Sequence, residues 1–233
     1  YEILFCTGGG TQQFSMVPLN FVTEGTEGNY LLTGVWAEKS YLEAKRLRNV
    51  HVAGSSKETK FSAIPKTVSL SKNPAYLHFT SNNTVVGTQF RKEPEVGSVP
   101  LICDASSDIL SRKIDVSKYG LIYACAQKNL GPVGVTVVIV RTDLLARSPK
   151  DLPILLDYNT YAENKSLYNT VPTFGVYLIG EILNWVKRHG GVSGIEKHNE
   201  AKAKVVYDVL DRLPFYRGHA EKADRSLMNV SFF

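Results

Sequence analysis

Residues Leu121–Val140 read LIYACAQKNLGPVGVTVVIV. Two apolar runs, Leu121–Cys125 and Val135–Val140, are separated by Gln127-Lys128-Asn129 and by Gly131-Pro132-Val133-Gly134. Both runs are near-continuously apolar rather than alternating, and the second is almost entirely β-branched. That pattern fits strands covered on both faces of a sheet. A lysine at the mouth of two such strands needs a reason. Desolvating an ammonium is costly and lowers its pKa, and a lysine so tuned is a nucleophile toward carbonyls, able to form a Schiff base. The plainer reading is a strand-end lysine pointing into water.

Working outward, similar short runs recur at Ile3–Cys6, Tyr30–Thr33, Val50–Ala53, Tyr76–Thr80 and Leu101–Cys103. Helical patterns lie between some of them, at Gln12–Val22 and Glu38–Leu47. Strands alternating with helices predict an α/β fold with a mostly parallel central sheet flanked by helices. Beyond Arg141 the texture changes. Thr173–His189 predicts a long helix stopped by Gly190-Gly191, and Ser193–Leu213 a second, with Ser193 and Glu196 spaced as a capping box and Pro214 as its end. The expected division is residues 1–213 as a large domain and 214–233 as the start of a small second domain. RSLMNVSFF, at 225–233, is expected to be a strand of that domain. Both termini read as strands cut from a longer chain.

The chain has 233 residues, 43% of them hydrophobic, enough for one sizeable core. No apolar stretch reaches the roughly 18 residues of a membrane span. The net charge is +5, with Lys and Arg scattered and no basic run interleaved with aromatics. Nucleic-acid binding is therefore not expected. Cys6, Cys103 and Cys125 are an odd set without short spacings. They predict buried thiols in a reducing cytoplasm, with no disulfide framework and no metal site. His51, His78, His189, His198 and His219 show no metal-ligand spacing, and His78 reads as a packed core histidine.

Three further stretches join Lys128. In PLICDASSD, Asp104 stands at the C-terminal end of an apolar strand, where open α/β sheets bind ligands. A carboxylate there could pair with a protonated pyridine nitrogen, while a nearby lysine holds the aldehyde of pyridoxal phosphate (PLP). A helix N-cap or a magnesium ligand is the alternative for Asp104. In CTGGGTQQF, a strand runs through three glycines into a helix, and helix-start amides point at anions such as phosphate. A ligand-free tight turn would read the same way. In LLTGVW, Trp36 follows a strand; it suits stacking on a flat ring, or simply the core.

Taken together, GGGTQQFSMVPLN, TGVW, SNNTVVGTQF, the long CDASSD…VVIVR block, SLYNTVPTF and RSLMNVSF resemble the phosphoserine aminotransferase family. These are class-V, fold-type I PLP enzymes, and the resemblance runs over essentially the whole chain. It implies that Lys128 bonds the cofactor aldehyde and that Asp104 partners the pyridine nitrogen. Gln127, Gly10 and Thr11 would contact the cofactor phosphate, Trp36 would stack on the ring, and Thr84 would contact a ring oxygen. Asn169 and Thr170 would reach the phosphate of a neighbouring subunit, hence a cytoplasmic homodimer with shared sites.

The reaction so implied exchanges an amino group between glutamate and 3-phosphohydroxypyruvate, giving 2-oxoglutarate and O-phosphoserine, for serine biosynthesis and in some bacteria pyridoxine (vitamin B6) biosynthesis. The family's His-Arg-Ser and Gly-His-Arg-Ser-Val-Gly-Gly segments, which bind substrate phosphate and carboxylate, are absent from these residues. The span alone is therefore expected to transaminate poorly. Another fold-type I aminotransferase, or a non-catalytic fragment keeping cofactor binding or dimerisation, are the alternatives.

Overall fold

The structure is a computed structural model describing residues 1–233. Nine strands form: β1 (Glu2–Thr7), β2 (Glu27–Leu32), β3 (Val50–Ser55), β4 (Pro74–Thr80), β5 (Asn82–Asn83), β6 (Thr88–Gln89), β7 (Leu101–Asp104), β8 (Tyr119–Cys125) and β9 (Val135–Val140). Six α-helices accompany them: α1 (Gly10–Phe21), α2 (Val35–Leu47), α3 (Thr142–Leu145), α4 (Tyr158–Glu163), α5 (Thr173–Arg188) and α6 (Gly191–Arg212). Seven strands make one sheet in the order β1-β9-β8-β7-β4-β2-β3, and β5 pairs with β6 in a separate hairpin. Strands β3, β2, β4, β7 and β8 are mutually parallel. β9 runs antiparallel to both β8 and β1, so β1 points the same way as the parallel set. The carboxyl ends of β1, β2, β4, β7 and β8 therefore open along one edge.

Both faces of this sheet are covered, which is why its strands read as unbroken apolar runs. On one face Tyr30, Tyr76, Ile102, Leu121 and Tyr123 pack with Phe14, Met16, Val17 and Ala44 from α1 and α2, and with Tyr158 and Tyr161 from α4. On the other, Leu31, Leu77, Phe79, Cys103 and Ile122 meet Ile64, Val68, Leu70, Ile109 and Ile114 from the connecting segments. Every residue of β7 and β8 is buried. Each large apolar side chain removed from water this way contributes about 1.5–3 kcal/mol.

α5 bears on the turn that carries Lys128. A Cβ at Gly131 would lie 2.9 Å from Ile179 of α5, so the turn and the helix approach more closely than any other residue would allow. Gly190, at φ +83°, ends α5 in the left-handed region, and α6 follows almost at once.

Here the capping-box expectation is corrected. α6 starts at Gly191 with Gly190 as its N-cap and no side-chain cap, placing Ser193 inside the first turn, because the glycine pair already reverses the chain. RSLMNVSFF is corrected too. It forms no strand and makes only bridges, Thr88↔Arg225 and Gly218↔Phe232. The backbone of Ser231 and Phe233 pairs with Arg217 and His219, and other polar groups of the segment go to the β5–β6 hairpin. Ser226 donates to Asn82 Oδ1 at 2.5 Å, Leu227 N to Gln89 Oε1 at 3.0 Å, and Ser231 to the Val85 carbonyl at 2.7 Å. No helix is long and apolar enough to cross a membrane.

Candidate active site

Five strand ends deliver the side chains. β1 leads through Gly8 and Gly9 into α1, whose first turn is Gly10-Thr11-Gln12. The amides of Gly9, Gly10 and Thr11 donate to no acceptor within the chain, as geometry requires of a helix start. β2 leads through Thr33 and Gly34 into α2, which begins at Val35, three residues before the sequence pattern suggested. Trp36 thus lies in the first turn of α2, half-buried at the opening. A Cβ at Gly34 would stand 2.5 Å from Asn83 Oδ1, so only glycine lets this turn dock against the β5–β6 hairpin. β4 leads into that hairpin and Thr84. β7 ends at Asp104, and β8 runs on to Gln127 and Lys128.

These elements enclose a pocket of about 120 Å³ lined by Gly9, Gly10, Thr11, Phe14, Trp36, Asp104, Ser106, Cys125, Gln127 and Lys128. Lys128 Nζ donates to Thr84 Oγ1 at 2.9 Å and sits 5.7 Å from the centre of the Trp36 ring. Of the two readings the sequence allowed for Lys128, the plainer one holds for its exposure. Lys128 is exposed at the pocket mouth, because the strand ends before it and the following turn carries it out past the apolar layer.

Asp104 is buried. Its Oδ1 accepts from Ser106 N at 3.0 Å. Burial raises its carboxyl above the usual range, and Ser106, the Lys128 ammonium and the Tyr123 hydroxyl pull it part of the way back. Asp104 is neither a helix cap nor part of any group of metal-ligating side chains. His78 is packed, as expected. It is buried beneath the strand ends, with Nε2 3.0 Å from the Tyr123 hydroxyl and its ring against Tyr30. Burial lowers its pKa to about 3.

Of the residues singled out in the sequence, Gly10, Thr11, Trp36, Asp104, Gln127 and Lys128 meet in this pocket, with Thr84 bonded to Lys128. Asn169 and Thr170 stay outside it. Asn169 Nδ2 donates to Thr7 Oγ1 at 3.5 Å, and Thr170 is exposed. Phe14, Ser106 and Cys125 were not foreseen. Only Ser106 carried a signal, standing two residues after an aspartate, the spacing of an Asx turn.

Beneath the pocket the β5–β6 hairpin rests on a saturated polar cluster. Asn82 donates to Ser107 Oγ at 2.8 Å and to Asn229 Oδ1 at 2.7 Å. Ser81 and Gln89 both donate to Asp108.

The family described as aminotransferase class-V matches residues 1–233. The chain is 52% identical to the phosphoserine aminotransferase of Lysinibacillus sphaericus, an alignment covering 100% of this chain and 65% of that protein. It superposes on the phosphoserine aminotransferase structure from Bacillus circulans subsp. alkalophilus with a TM-score of 0.97 at 51% identity, covering 99% of this chain and 65% of that one. Its TM-score is 0.94 against the PLP-bound phosphoserine aminotransferase of Trichomonas vaginalis, at 39% identity over 100% of this chain and 70% of that one. The chain thus spans about 65% of the length of the curated relatives it matches.

Proposed function

The chain belongs to the class-V aminotransferase family, and from that premise we propose that it is the PLP-binding part of a phosphoserine aminotransferase. The full protein would exchange an amino group between glutamate and 3-phosphohydroxypyruvate, yielding 2-oxoglutarate and O-phosphoserine, in serine biosynthesis. The sheet and its flanking helices are those of the fold-type I aminotransferases on which the chain superposes. One observation carries the reading. Unpartnered helix-start amides, a half-buried tryptophan, a buried carboxylate and an amine line or border a single pocket.

The pocket residues fit this cofactor. The amides of Gly9, Gly10 and Thr11, with Gln127 beside them, supply donors that a phosphate would satisfy. Trp36 presents a ring face for a pyridine. Asp104 offers a carboxylate to a protonated ring nitrogen, and the hydrogen bond from the Ser106 amide fixes its orientation. When bound, PLP supplies a sink for the electrons left on a substrate α-carbon that loses its proton.

Lys128 would hold the cofactor aldehyde and would serve as the general base that accepts and returns the substrate's α-proton. Its bond to Thr84 keeps the amine at the pocket mouth, and the Thr84 hydroxyl would contact the cofactor ring oxygen. Asp104 would set its carboxylate against the ring nitrogen and so preserve the sink.

A homodimer in the cytoplasm completes the proposal. Val133, Leu167, Tyr168, Phe174 and Tyr177 are exposed around the end of the β1–β9 edge, an apolar group suited to a second subunit. Asn169 and Thr170 stand in that same stretch, where they would face the partner's pocket. The three cysteines are free and buried, in keeping with a reducing compartment.

The test is a glutamate-dependent assay of the full-length protein with 3-phosphohydroxypyruvate, run beside a PLP titration followed by visible absorbance. Tight PLP binding with turnover of that keto acid supports the reading. PLP binding with turnover of other keto acids only would reassign the substrate within the family.

A further inference from the structure

Behind Asp104, away from the pocket, stand two side chains that the reaction as described does not use. Tyr123 faces Asp104 directly across the β7–β8 ladder. His78, on β4, has Nε2 3.0 Å from the Tyr123 hydroxyl. Both are fully enclosed, at 0% and 1% exposure, and His78 Nδ1 has no partner at all. That unpartnered atom decides the direction of the chain of hydrogen bonds. A buried N–H without an acceptor is rarer and costlier than a buried lone pair without a donor. The histidine proton therefore resides on Nε2, and Nδ1 is the bare lone pair. Nε2–H donates to the Tyr123 oxygen, which leaves the Tyr123 proton free to point at the Asp104 carboxylate.

We propose that His78 and Tyr123 are positioning residues that hold a hydroxyl proton on the far side of Asp104 and so keep the proton it shares with the cofactor on the ring nitrogen. The inference rests on the functional reading above. A carboxylate that receives a hydrogen bond from behind is less basic, so across the pair Asp104···H–N the proton lies on the pyridine side. Without the tyrosine hydroxyl Asp104 becomes more basic and draws the proton toward itself, and the electron sink weakens. Burial keeps His78 neutral, with a pKa of about 3, so the direction of the relay does not reverse at physiological pH. The other groups bearing on Asp104 are the Ser106 amide and hydroxyl and the Lys128 ammonium. All lie on its pocket side or in its own turn, and none substitutes for Tyr123.

The experiment uses the full-length protein reconstituted with PLP labelled with ¹⁵N in the ring. Tyr123→Phe should move the ring ¹⁵N resonance toward that of neutral pyridine, weaken PLP binding about tenfold, and lower kcat about tenfold with substrate KM within twofold, the loss expected for one hydrogen bond to a charged group. His78→Leu should shift the resonance the same way. His78→Gln, which restores an N–H near the Nε2 position, should bring it back toward wild type, a rescue that a packing role would not produce. A wild-type resonance in Tyr123→Phe protein that binds PLP overturns the relay. So does a ¹⁵N shift in His78→Gln as large as in His78→Leu. Failure of the wild-type protein to bind PLP overturns the functional reading itself, and the relay with it.

Discussion

Two polar regions stand a few residues apart, the pocket rim and the cluster under the β5–β6 hairpin, and they handle their hydrogen bonds differently. Under the hairpin, Asn82 alone engages Ser107, Ser226 and Asn229, and Asp108 takes donors from Ser81 and Gln89. Nearly every group there is satisfied, as a buried network must be to add stability. At the rim, Lys128 makes one contact, and three helix-start amides make none. Saturation marks groups that hold the fold. Groups left open, at the end of a sheet where the backbone is otherwise fully used, mark where a ligand completes the set.

The sharpest way to break this contrast is Lys128→Ala in the full-length protein. Visible cofactor absorbance should be lost and turnover should fall at least about a thousandfold, while the thermal midpoint of the cofactor-free protein stays within about 2 °C. A large loss of apo stability would place Lys128 with the structural groups instead. Asp104→Asn comes next, with a fall in kcat of about a hundredfold or more and folding largely preserved. Steady-state kinetics beside a melting curve read both.

Asn82→Ala should do the reverse. It strands the partners of one buried amide, so stability should drop by about 2–4 kcal/mol by denaturant titration, with kcat per folded molecule within about threefold. A catalytic loss larger than that would show the two regions to be one.

The smallest effect concerns pH. His78 has a folded pKa lowered to about 3 by burial, from the usual 6.5 of a histidine. Its contribution to stability is present above the unfolded pKa and is lost as pH falls from about 6.5 toward 3, because the unfolded chain takes up a proton that the folded chain refuses. Between pH 6.5 and 5 this amounts to roughly 2 kcal/mol. In His78→Gln the acid slope of stability should be shallower by one proton, with no change in slope above pH 7.

Much of the architecture is legible in the chain itself. The strands near Leu121–Cys125 and Val135–Val140 are set by unbroken β-branched and apolar runs, and α1 and α2 by helical spacing. Local pattern works there because burial on both faces leaves a signature in consecutive residues. It failed at Ser193, where a plausible capping pair lost to the chain reversal at Gly190-Gly191, and at Arg225–Phe233, which bonds partly to a distant hairpin and pairs with Arg217–His219 only through an isolated bridge. Lys128, Asp104, Trp36 and the glycine turn could be singled out because each follows a strand. Nothing local said that Phe14 and Cys125 would line the same pocket.

By itself the sequence determined the class of fold, the places where strands end, and the residue types waiting there. Only the tertiary structure decided the order β1-β9-β8-β7-β4-β2-β3, the reversed β9, and the stack that sets His78 behind Tyr123 behind Asp104. The physical reason is range. Periodicity records whether a residue is covered, but not which residue, tens of positions away along the chain, does the covering.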